Sequence, residues 1–387
     1  MVETYEGYFL IADITGYTQY LSESELEHAQ ETLTALLELL VDNTRPPLVI
    51  SRLAGDAVIS YGLLENFYHG QSFIEKIEDS YVDFRKTLER LVLNNTCRCN
   101  ACANISNLDL KFFVHYGTFG IQRISDHDEL VGSDVILLHR LLKNSVTERT
   151  GFRGYTLYSH AAIIKLGIEE MVENMIPLVE SYEHLGEVEI WVQDMHAVWS
   201  SRRESAATEF SAEGAVMRSE VDIDVPNEIV WDYLIQPEFR NLLVGADRME
   251  ITDRTQGRIS EGSVYQCYHG DKVIPQTILE WEPFSKMILK ELFPFYPDVS
   301  FLTEYRLGTA NGKTRLYRTV GKPTGPFIGR VLLSLMTPMF KRYTSQANEN
   351  FSRAVENDYL NRGKSEMGGA EITSKQIRLA AAAGLRD

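Results

Sequence analysis

The stretch that decides the fold of the first half of the chain is Phe9–Thr18, FLIADITGYT, together with Arg52–Ala57, RLAGDA. In the first stretch, an apolar run typical of a buried strand ends at Asp13, and Gly16 opens a turn that leads into a helix. In the second stretch, Asp56 lies in a tight turn between two short apolar runs, which predicts a hairpin. A carboxylate that directly follows a buried strand lies at the edge of a sheet, so the two Asp side chains can meet there.

Two carboxylates at one sheet edge suit a hard cation. Mg²⁺ commonly takes one or two carboxylates and leaves its other positions to phosphate oxygens and water. The backbone N–H groups of Ile14, Thr15, Gly16 and Tyr17, followed by a helix N-terminus, suit a phosphate. The residues alone also allow a plainer interpretation, in which Asp13 caps the helix and the second Asp only forms a turn.

The rest of the first half mixes helices and strands without regular alternation. Apolar periodicity predicts helices over Phe73–Leu93 and Asp134–Leu142, and strands over Leu110–Tyr116 and Glu187–Val192. This order favours an α+β domain over a doubly wound parallel sheet.

Length and composition restrict the class of protein. A chain of 387 residues predicts two to three domains, and 44% hydrophobic with 24% charged residues is typical of a globular protein. The formal net charge of −17 disfavours broad binding to nucleic acid or to anionic membranes. We find no apolar run near the ~20 residues that span a bilayer and no signal peptide, so we expect a cytoplasmic protein without a membrane span.

Four motifs occur in the order found in class III adenylate/guanylate cyclases: Ala12–Thr18, Arg52–Ala57, Val114–Gly117 and Gly132–Leu141. The chain resembles that family over roughly residues 5–195. The resemblance implies a ferredoxin-like α+β domain with a signalling role, whose copies pair head to tail around a nucleoside triphosphate. We therefore expect a homodimer, or a heteropair with another cyclase-type chain.

The family's site residues transfer to matching positions of this sequence. Asp13 and Asp56, assisted by the Ile14 carbonyl, would hold Mg²⁺ or Mn²⁺, and the Ile14–Tyr17 backbone would hold phosphates. Arg140 matches the arginine that stabilises the transition state. Two-metal chemistry of this kind serves in-line attack of the ribose 3′-OH on the α-phosphate.

Other positions depart from the family pattern. Ile136 stands where an asparagine is usual, and Trp191 stands where a phosphate-binding lysine is usual. Arg52 and Glu129 occupy the base-reading positions, which in adenylate cyclases carry Lys and Asp; alternatively these two form an internal ion pair and read nothing. The residues expected to bind the metal therefore match the family pattern, whereas several of those that a partner chain would supply do not.

Three functions remain open from the sequence. The first is a cyclase-homology protein that binds nucleotide and metal with a partly degenerate catalytic set. The second is an active nucleotidyl cyclase, in which an unrecognised cation replaces the missing lysine. The third is a non-catalytic interaction module, in which the two Asp residues are relics.

A cysteine cluster, Cys97, Cys99 and Cys102, has the spacing C-x-C-x₂-C. Thiolates this close can grip Zn²⁺ together, although no fourth ligand is evident. Reduced thiols in a turn, or a transient disulfide, are the alternatives.

The chain divides near residue 197. We predict a cyclase-like domain over 1–196, a polar linker over 197–214, a second domain over 215–360 and a flexible tail over 361–387. The second domain, with a strand, a short helix after Pro226, several strands and a long final helix, resembles the START-like (SRPBCC) helix-grip fold. That resemblance implies a cavity for an apolar small molecule or a partner.

Overall fold

The computed structural model describes residues 4–22, 24–64, 70–93, 104–124, 127–204, 210, 215–293, 296–310, 312–326 and 343–361. These residues form two β-sheets with helices packed against each. The strands of the first sheet are β1 (Thr4–Thr15), β2 (Val49–Ala54), β3 (Ala57–Leu63), β4 (Asp109–Ile124), β5 (His127–Val131), β6 (Tyr155–Ser159), β7 (Ile176–Tyr182) and β8 (Gly186–Asp194). The helices of this part are α1 (Tyr17–Ser22), α2 (Leu26–Thr44), α3 (Gly70–Leu93), α4 (Ser133–Leu141), α5 (Val146–Thr150), α6 (His160–Leu166) and α7 (Met195–Glu204).

The first sheet has the order β2-β3-β1-β4-β6-β8-β7, and β5 pairs with the far end of β4. Only β4 and β6 run parallel among these pairs; the others are antiparallel. The predicted α+β class is confirmed. Strand β1 lies in the middle of the sheet, which explains why its sequence is an unbroken apolar run rather than an alternating one.

Alternate residues of β1 enter two different cores. Tyr8, Leu10 and Ala12 pack with α2 and α3 on one face of the sheet. Phe9 and Ile11 pack with α4 on the other face. This alternation follows from the two-residue period of a strand and places the end of β1 between two helical layers.

The second sheet is wholly antiparallel, with the order β10-β11-β12-β13-β14-β15-β9. Its strands are β9 (Met217–Ile223), β10 (Arg248–Thr252), β11 (Val264–His269), β12 (Lys272–Glu282), β13 (Lys286–Phe293), β14 (Tyr296–Ala310) and β15 (Lys313–Val320). The helices α8 (Asn227–Ile235) and α9 (Pro237–Val244) follow β9, and α10 spans residues 343–361. Within α10, Ala347, Phe351 and Val355 are buried at four-residue spacing, as one core-facing stripe requires.

Helix α3 joins the two parts. Gln71 forms two hydrogen bonds with the backbone of Ile259, of 2.6 and 2.8 Å, and Ser72 donates to Asp232 over 2.8 Å. Arg258 forms a 2.7 Å ion pair with Glu78. These contacts involve buried groups, so the second sheet is held against a helix of the first part rather than only through a linker.

The predicted linker start at residue 197 is wrong, because α7 continues to Glu204. Trp199 is only 8% exposed, and Arg202 forms a 3.2 Å ion pair with Asp79 of α3. The polar sequence that predicted a linker is thus the outer face of a packed helix. Of residues 205–214, only 210 is described; the predicted tail from 362 onward and the first part of the predicted last helix, 327–342, lie outside the described residues. Among the described helices, none is long and apolar enough to cross a membrane.

Candidate functional site

Asp13 and Asp56 lie together at one end of the first sheet. Asp13 pairs across β1 and β3 with Ala57, the residue that directly follows Asp56. The backbone N–H of Ile14 donates to the carbonyl of Asp56 over 3.2 Å, which holds the β2–β3 turn against the end of β1. The two carboxylates that the sequence singled out are therefore neighbours in the fold.

The surroundings of the two carboxylates disfavour their ionisation. Burial raises the pKa of Asp13 to about 6, and the nearby charge of Asp56 adds to the rise. Burial also raises the pKa of Asp56. Two half-buried carboxylates that resist ionisation together form a place where a cation would be favourable.

Lys111 belongs to the same site, and the sequence analysis missed it. Lys111 lies directly opposite Asp13 in the β1–β4 register, so the two side chains share a face of the sheet. Its positive charge lowers the pKa of Asp13, whereas burial lowers the pKa of Lys111 itself. Its Nζ atom lies 5.1 Å from the centre of the Tyr155 ring. The available signal was a lone lysine in the apolar strand LKFFVHY, Leu110–Tyr116.

The loop after Asp13 packs closely against the backbone at Asn107. Gly16 has a φ of +87°, and a Cβ atom there would lie 3.2 Å from the carbonyl oxygen of Asn107. The Gly16 carbonyl accepts from Tyr20 N–H over 2.9 Å and starts α1, which has only six residues. The Thr15 hydroxyl is buried and has no hydrogen-bond partner among the described residues. The loop therefore offers an unsatisfied polar group beside the carboxylate pair.

Arg52 and Glu129 meet in the structure. Arg52 donates to the Glu129 carboxylate over 2.9 Å, and its second amino group lies 3.5 Å from His139 Nε2. Arg52 and Glu129 keep 45% and 35% of their side-chain surface exposed, so the pair lies at the protein surface. Within one chain, the two predicted base-reading residues are ion-paired to each other.

Arg140 makes no contact with Asp13 or Asp56 among the described residues. It is exposed on α4, and among the described residues it makes no ion pair or side-chain hydrogen bond. Ile136, one turn earlier on the same helix, is 56% exposed. The third departure, Trp191, is partly buried and stacks on His160 with ring centres 5.1 Å apart.

The donor set fits a magnesium-type ion better than a transition metal. Two carboxylates and a backbone carbonyl are hard oxygen ligands, and such ions leave further positions to phosphate and water. Among the described residues, no group of three or more His, Cys, Asp or Glu side chains lies together as an all-protein metal cage would need. The predicted zinc residues Cys97, Cys99 and Cys102 lie outside the described residues.

Comparisons with known proteins add the following. Residues 33–150 match a family described as "Protein of unknown function (DUF2652)". This range includes Asp56 and Arg140 but not Asp13. An uncharacterized protein of Mycobacterium tuberculosis (strain ATCC 25618 / H37Rv), Rv2561/Rv2562, is 28% identical over 156 residues, which cover 40% of this chain and 69% of that protein.

Similar solved structures are adenylyl and guanylyl cyclases, each aligned over about half of this chain. A bacterial light-regulated adenylyl cyclase is 12% identical with a TM-score of 0.39, over 53% of this chain and 57% of that one. The adenylyl cyclase CyaB of P. aeruginosa is 13% identical with a TM-score of 0.38, over 50% of this chain and 96% of that one. The guanylate cyclase domain of RhGC from Catenaria anguillulae, solved in complex with GTP, is 19% identical with a TM-score of 0.33, over 50% and 98%.

Proposed function

We propose that the first part of the chain binds a nucleoside triphosphate together with Mg²⁺ or Mn²⁺, at a site that a second chain completes. The observation that carries this proposal is the meeting of Asp13 and Asp56 at one sheet end, where burial and mutual repulsion raise the pKa of Asp13 to about 6. A divalent cation would relieve that repulsion, and a triphosphate would supply its remaining oxygen ligands.

The residues have distinct roles in this proposal. Asp13, Asp56 and the Ile14 carbonyl hold the cation, which when bound polarises the phosphate oxygens and favours ionisation of the attacking hydroxyl. The backbone of Ile14, Thr15, Gly16 and Tyr17 and the unsatisfied Thr15 hydroxyl face the phosphates. The Lys111 ammonium partly neutralises Asp13 when no cation is bound, and it turns to a phosphate when nucleotide binds.

The second chain supplies the other half of the site. Arg140 is exposed and has no ion-pair partner among the described residues, which suits a role toward a partner chain. Ile136 cannot hydrogen-bond a ribose, and Trp191 cannot supply a positive charge. An arginine directed at the transition state is worth many powers of ten in rate in phosphoryl transfer, so loss of its supporting groups makes turnover slow. We therefore propose that nucleotide binding is the principal activity and that any cyclisation of the nucleotide is slow.

The Arg52–Glu129 pair bears on base selection. A partner chain that approaches this surface meets an arginine already neutralised by Glu129. For Arg52 to read a base, the nucleotide must replace that pair, which costs little because an exposed ion pair contributes only about 0–1 kcal/mol.

The test is metal-dependent nucleotide binding by calorimetry, followed by mass spectrometry of the products. Wild type, Asp13→Asn and Asp42→Asn, an exposed control on α2, are titrated with ATP, GTP, CTP and UTP in Mn²⁺ and in chelator. We expect binding in Mn²⁺ that chelator and Asp13→Asn abolish and Asp42→Asn preserves. A 3′,5′-cyclic product lost in Asp13→Asn would establish an active cyclase. Folded protein that binds no nucleotide would contradict the proposal and favour an interaction module.

A further inference from the structure

The interior of the second sheet contains two buried arginines. Arg240, on the short helix α9, has no exposed surface, and Arg318, on β15, is 8% exposed. A guanidinium group stays protonated in proteins even when buried, so both side chains carry full charge inside the fold. Burial of a charge is costly unless the charge is paired and fully hydrogen-bonded.

Both guanidinium groups lie against one tyrosine on the inner face of the sheet. Tyr305 is opposite Arg318 across β14 and β15, and opposite Met287 across β13 and β14. The Arg240 guanidinium carbon lies 4.6 Å from the Tyr305 ring centre and 4.7 Å from that of Tyr265, and that of Arg318 lies 5.4 Å from Tyr305. The two positive groups therefore lie close to the same tyrosine ring.

The polar contacts of these arginines are few and weak. Arg240 donates to the Met287 sulfur over 3.5 Å and to the Gln276 side-chain oxygen over 3.4 Å. Arg318 donates to the Leu243 carbonyl over 3.0 Å. The Nε atom of each has no hydrogen-bond partner among the described residues, and neither forms an ion pair with a described carboxylate.

Further buried polar atoms near the arginines lack partners. The Tyr305 hydroxyl, the Thr303 hydroxyl and Glu291 Oε1 have none among the described residues. Thr303 precedes Tyr305 by two residues and so shares its face of β14, and it lies opposite Leu289, two residues before Glu291 on β13. Burial raises the pKa of Tyr305, so its hydroxyl keeps its proton and can donate. Five buried polar atoms thus lack partners among the described residues, four on the inner face of the sheet and one on α9, which indicates a site built for a ligand.

From this arrangement we infer that the second sheet binds a small organic carboxylate, with its carboxylate held by Arg240 and Arg318 and a hydroxyl of the ligand directed at Glu291 and Thr303. The charged side chains that act on Tyr305 are the two guanidinium groups and the Glu291 carboxylate. Their net charge is +1, which a singly charged carboxylate balances and a phosphate monoester overbalances. The Tyr265 and Tyr305 rings and Met287 supply apolar surface for the body of the ligand.

The sequence predicted an apolar small molecule or a partner for the second domain, and this inference names a different ligand class. Tyr265 and Tyr305 both have no exposed surface. The charged side chains among them were not predicted, because no local pattern distinguishes an inward-facing arginine of a strand from an outward-facing one.

The experiment compares the full chain with Arg240→Met, Arg318→Met and Arg248→Met in a thermal unfolding assay. Arg248 is the matched control, because its side chain is 61% exposed and it pairs with Glu250. The probes are benzoate, 4-hydroxybenzoate, hexanoate and 3-hydroxyhexanoate, with benzyl alcohol, 4-hydroxybenzyl alcohol and hexanol as neutral counterparts, all at constant ionic strength.

We expect at least one carboxylate to raise the thermal midpoint of wild type and Arg248→Met by about 2 °C at ten times its dissociation constant, and its neutral counterpart to leave the midpoint unchanged. Arg240→Met and Arg318→Met should lose the response, with binding at least tenfold weaker. Either variant should also unfold at a higher temperature than wild type without ligand, because it removes an unbalanced buried charge. The inference is overturned if acid and alcohol act equally, if the variants keep the response, or if no carboxylate acts and both variants lower the unliganded midpoint.

Discussion

Glu75 on α3 is the buried acid whose removal tests the contact between the two parts most sharply. Its Oε1 accepts from Trp281 Nε1 over 2.8 Å and from Gln71 Nε2 over 3.0 Å. Its Oε2 lies 3.4 Å from Trp231 Nε1. The residue is 3% exposed. Because both strong hydrogen bonds reach Oε1, a glutamine amide oxygen in Glu75→Gln can keep them and loses only the weak third contact.

The size of the effect follows from the ionisation of Glu75. Burial raises the pKa of Glu75 from 4.5 to about 7 in the folded protein, against the lowering effect of its hydrogen bonds to Gln71 and Trp281. The folded state therefore holds a proton that the unfolded state has released between these two pH values, and stability falls as pH rises through this window. At about 1.4 kcal/mol for each pKa unit, the loss is about 3 kcal/mol by pH 8.

The assay is urea unfolding followed by tryptophan fluorescence at pH 5 and pH 8, since Trp231 and Trp281 lie against Glu75. Most other titrating groups change in wild type and variant alike. The charge of Glu75 contributes to the raised pKa of Asp79, so the difference between the two proteins reports Glu75 together with its effect on Asp79. We expect Glu75→Gln to be about as stable as wild type at pH 5, because the loss of the weak contact, about 1 kcal/mol, is nearly offset by the roughly 0.8 kcal/mol that ionisation of Glu75 already costs wild type there. It should be about 2 kcal/mol more stable at pH 8, once the ionised acid destabilises wild type.

The control is Glu89→Gln on the same helix, where the side chain is 46% exposed and pairs with Arg203 over 3.4 Å. It should show no such pH-dependent difference. Equal pH slopes for wild type and Glu75→Gln would refute the reasoning, because the buried carboxylate would then carry no penalty for its charge.

Three further outcomes follow from the site. Asp13→Asn should remove the part of the pH dependence of stability that lies between pH 4 and about 6 in metal-free protein, because the raised pKa of Asp13 makes its ionisation destabilising there. A pH series of thermal midpoints measures this effect. An unchanged profile would count against the carboxylate pair. A double-mutant cycle on Arg52 and Glu129 should give a coupling of about 0.2–1 kcal/mol by urea unfolding, since the pair is exposed; a value above about 2 kcal/mol would mean that the pair is a structural tie. Gly16→Ala and Gly55→Ala should each cost about 1–2 kcal/mol of stability, because both positions have a positive φ. Gly16→Ala should cost more, because its Cβ would lie 3.2 Å from a carbonyl oxygen, whereas nothing lies within 4 Å of a Cβ at Gly55. Equal thermal midpoints for the two variants would contradict this close packing.

The carboxylate site could be predicted from the sequence because its signals are local. Asp13 and Asp56 each follow a strand or lie in a turn, and both patterns are visible within ten residues. Lys111 could not be predicted in the same way, since its place beside Asp13 depends on the register of two strands separated by about a hundred residues. The same limit applies to the arrangement of the Arg52–Glu129 pair, which joins β2 to β5.

The contact between the two parts also escaped the sequence analysis. Trp231 and Trp281 lie far along the chain from Glu75, and the apolar periodicity around them predicts only that they are buried. The predicted linker failed for a related reason, because Arg202 belongs to a helix whose polar groups pair with α3. Charged residues that face a neighbouring helix have the same composition as charged residues that face water.

The measurement that tests the central claim most directly is Mn²⁺ binding followed by electron paramagnetic resonance, in which bound Mn²⁺ loses the sharp signal of the free ion. Wild type and an Asp13→Asn, Asp56→Asn double variant are titrated with and without a non-hydrolysable nucleoside triphosphate analogue. We predict that wild type binds Mn²⁺ weakly alone and at least tenfold more tightly with the analogue, and that the double variant shows no such gain. Equal nucleotide-dependent Mn²⁺ binding by wild type and the folded double variant would contradict the assignment of this site.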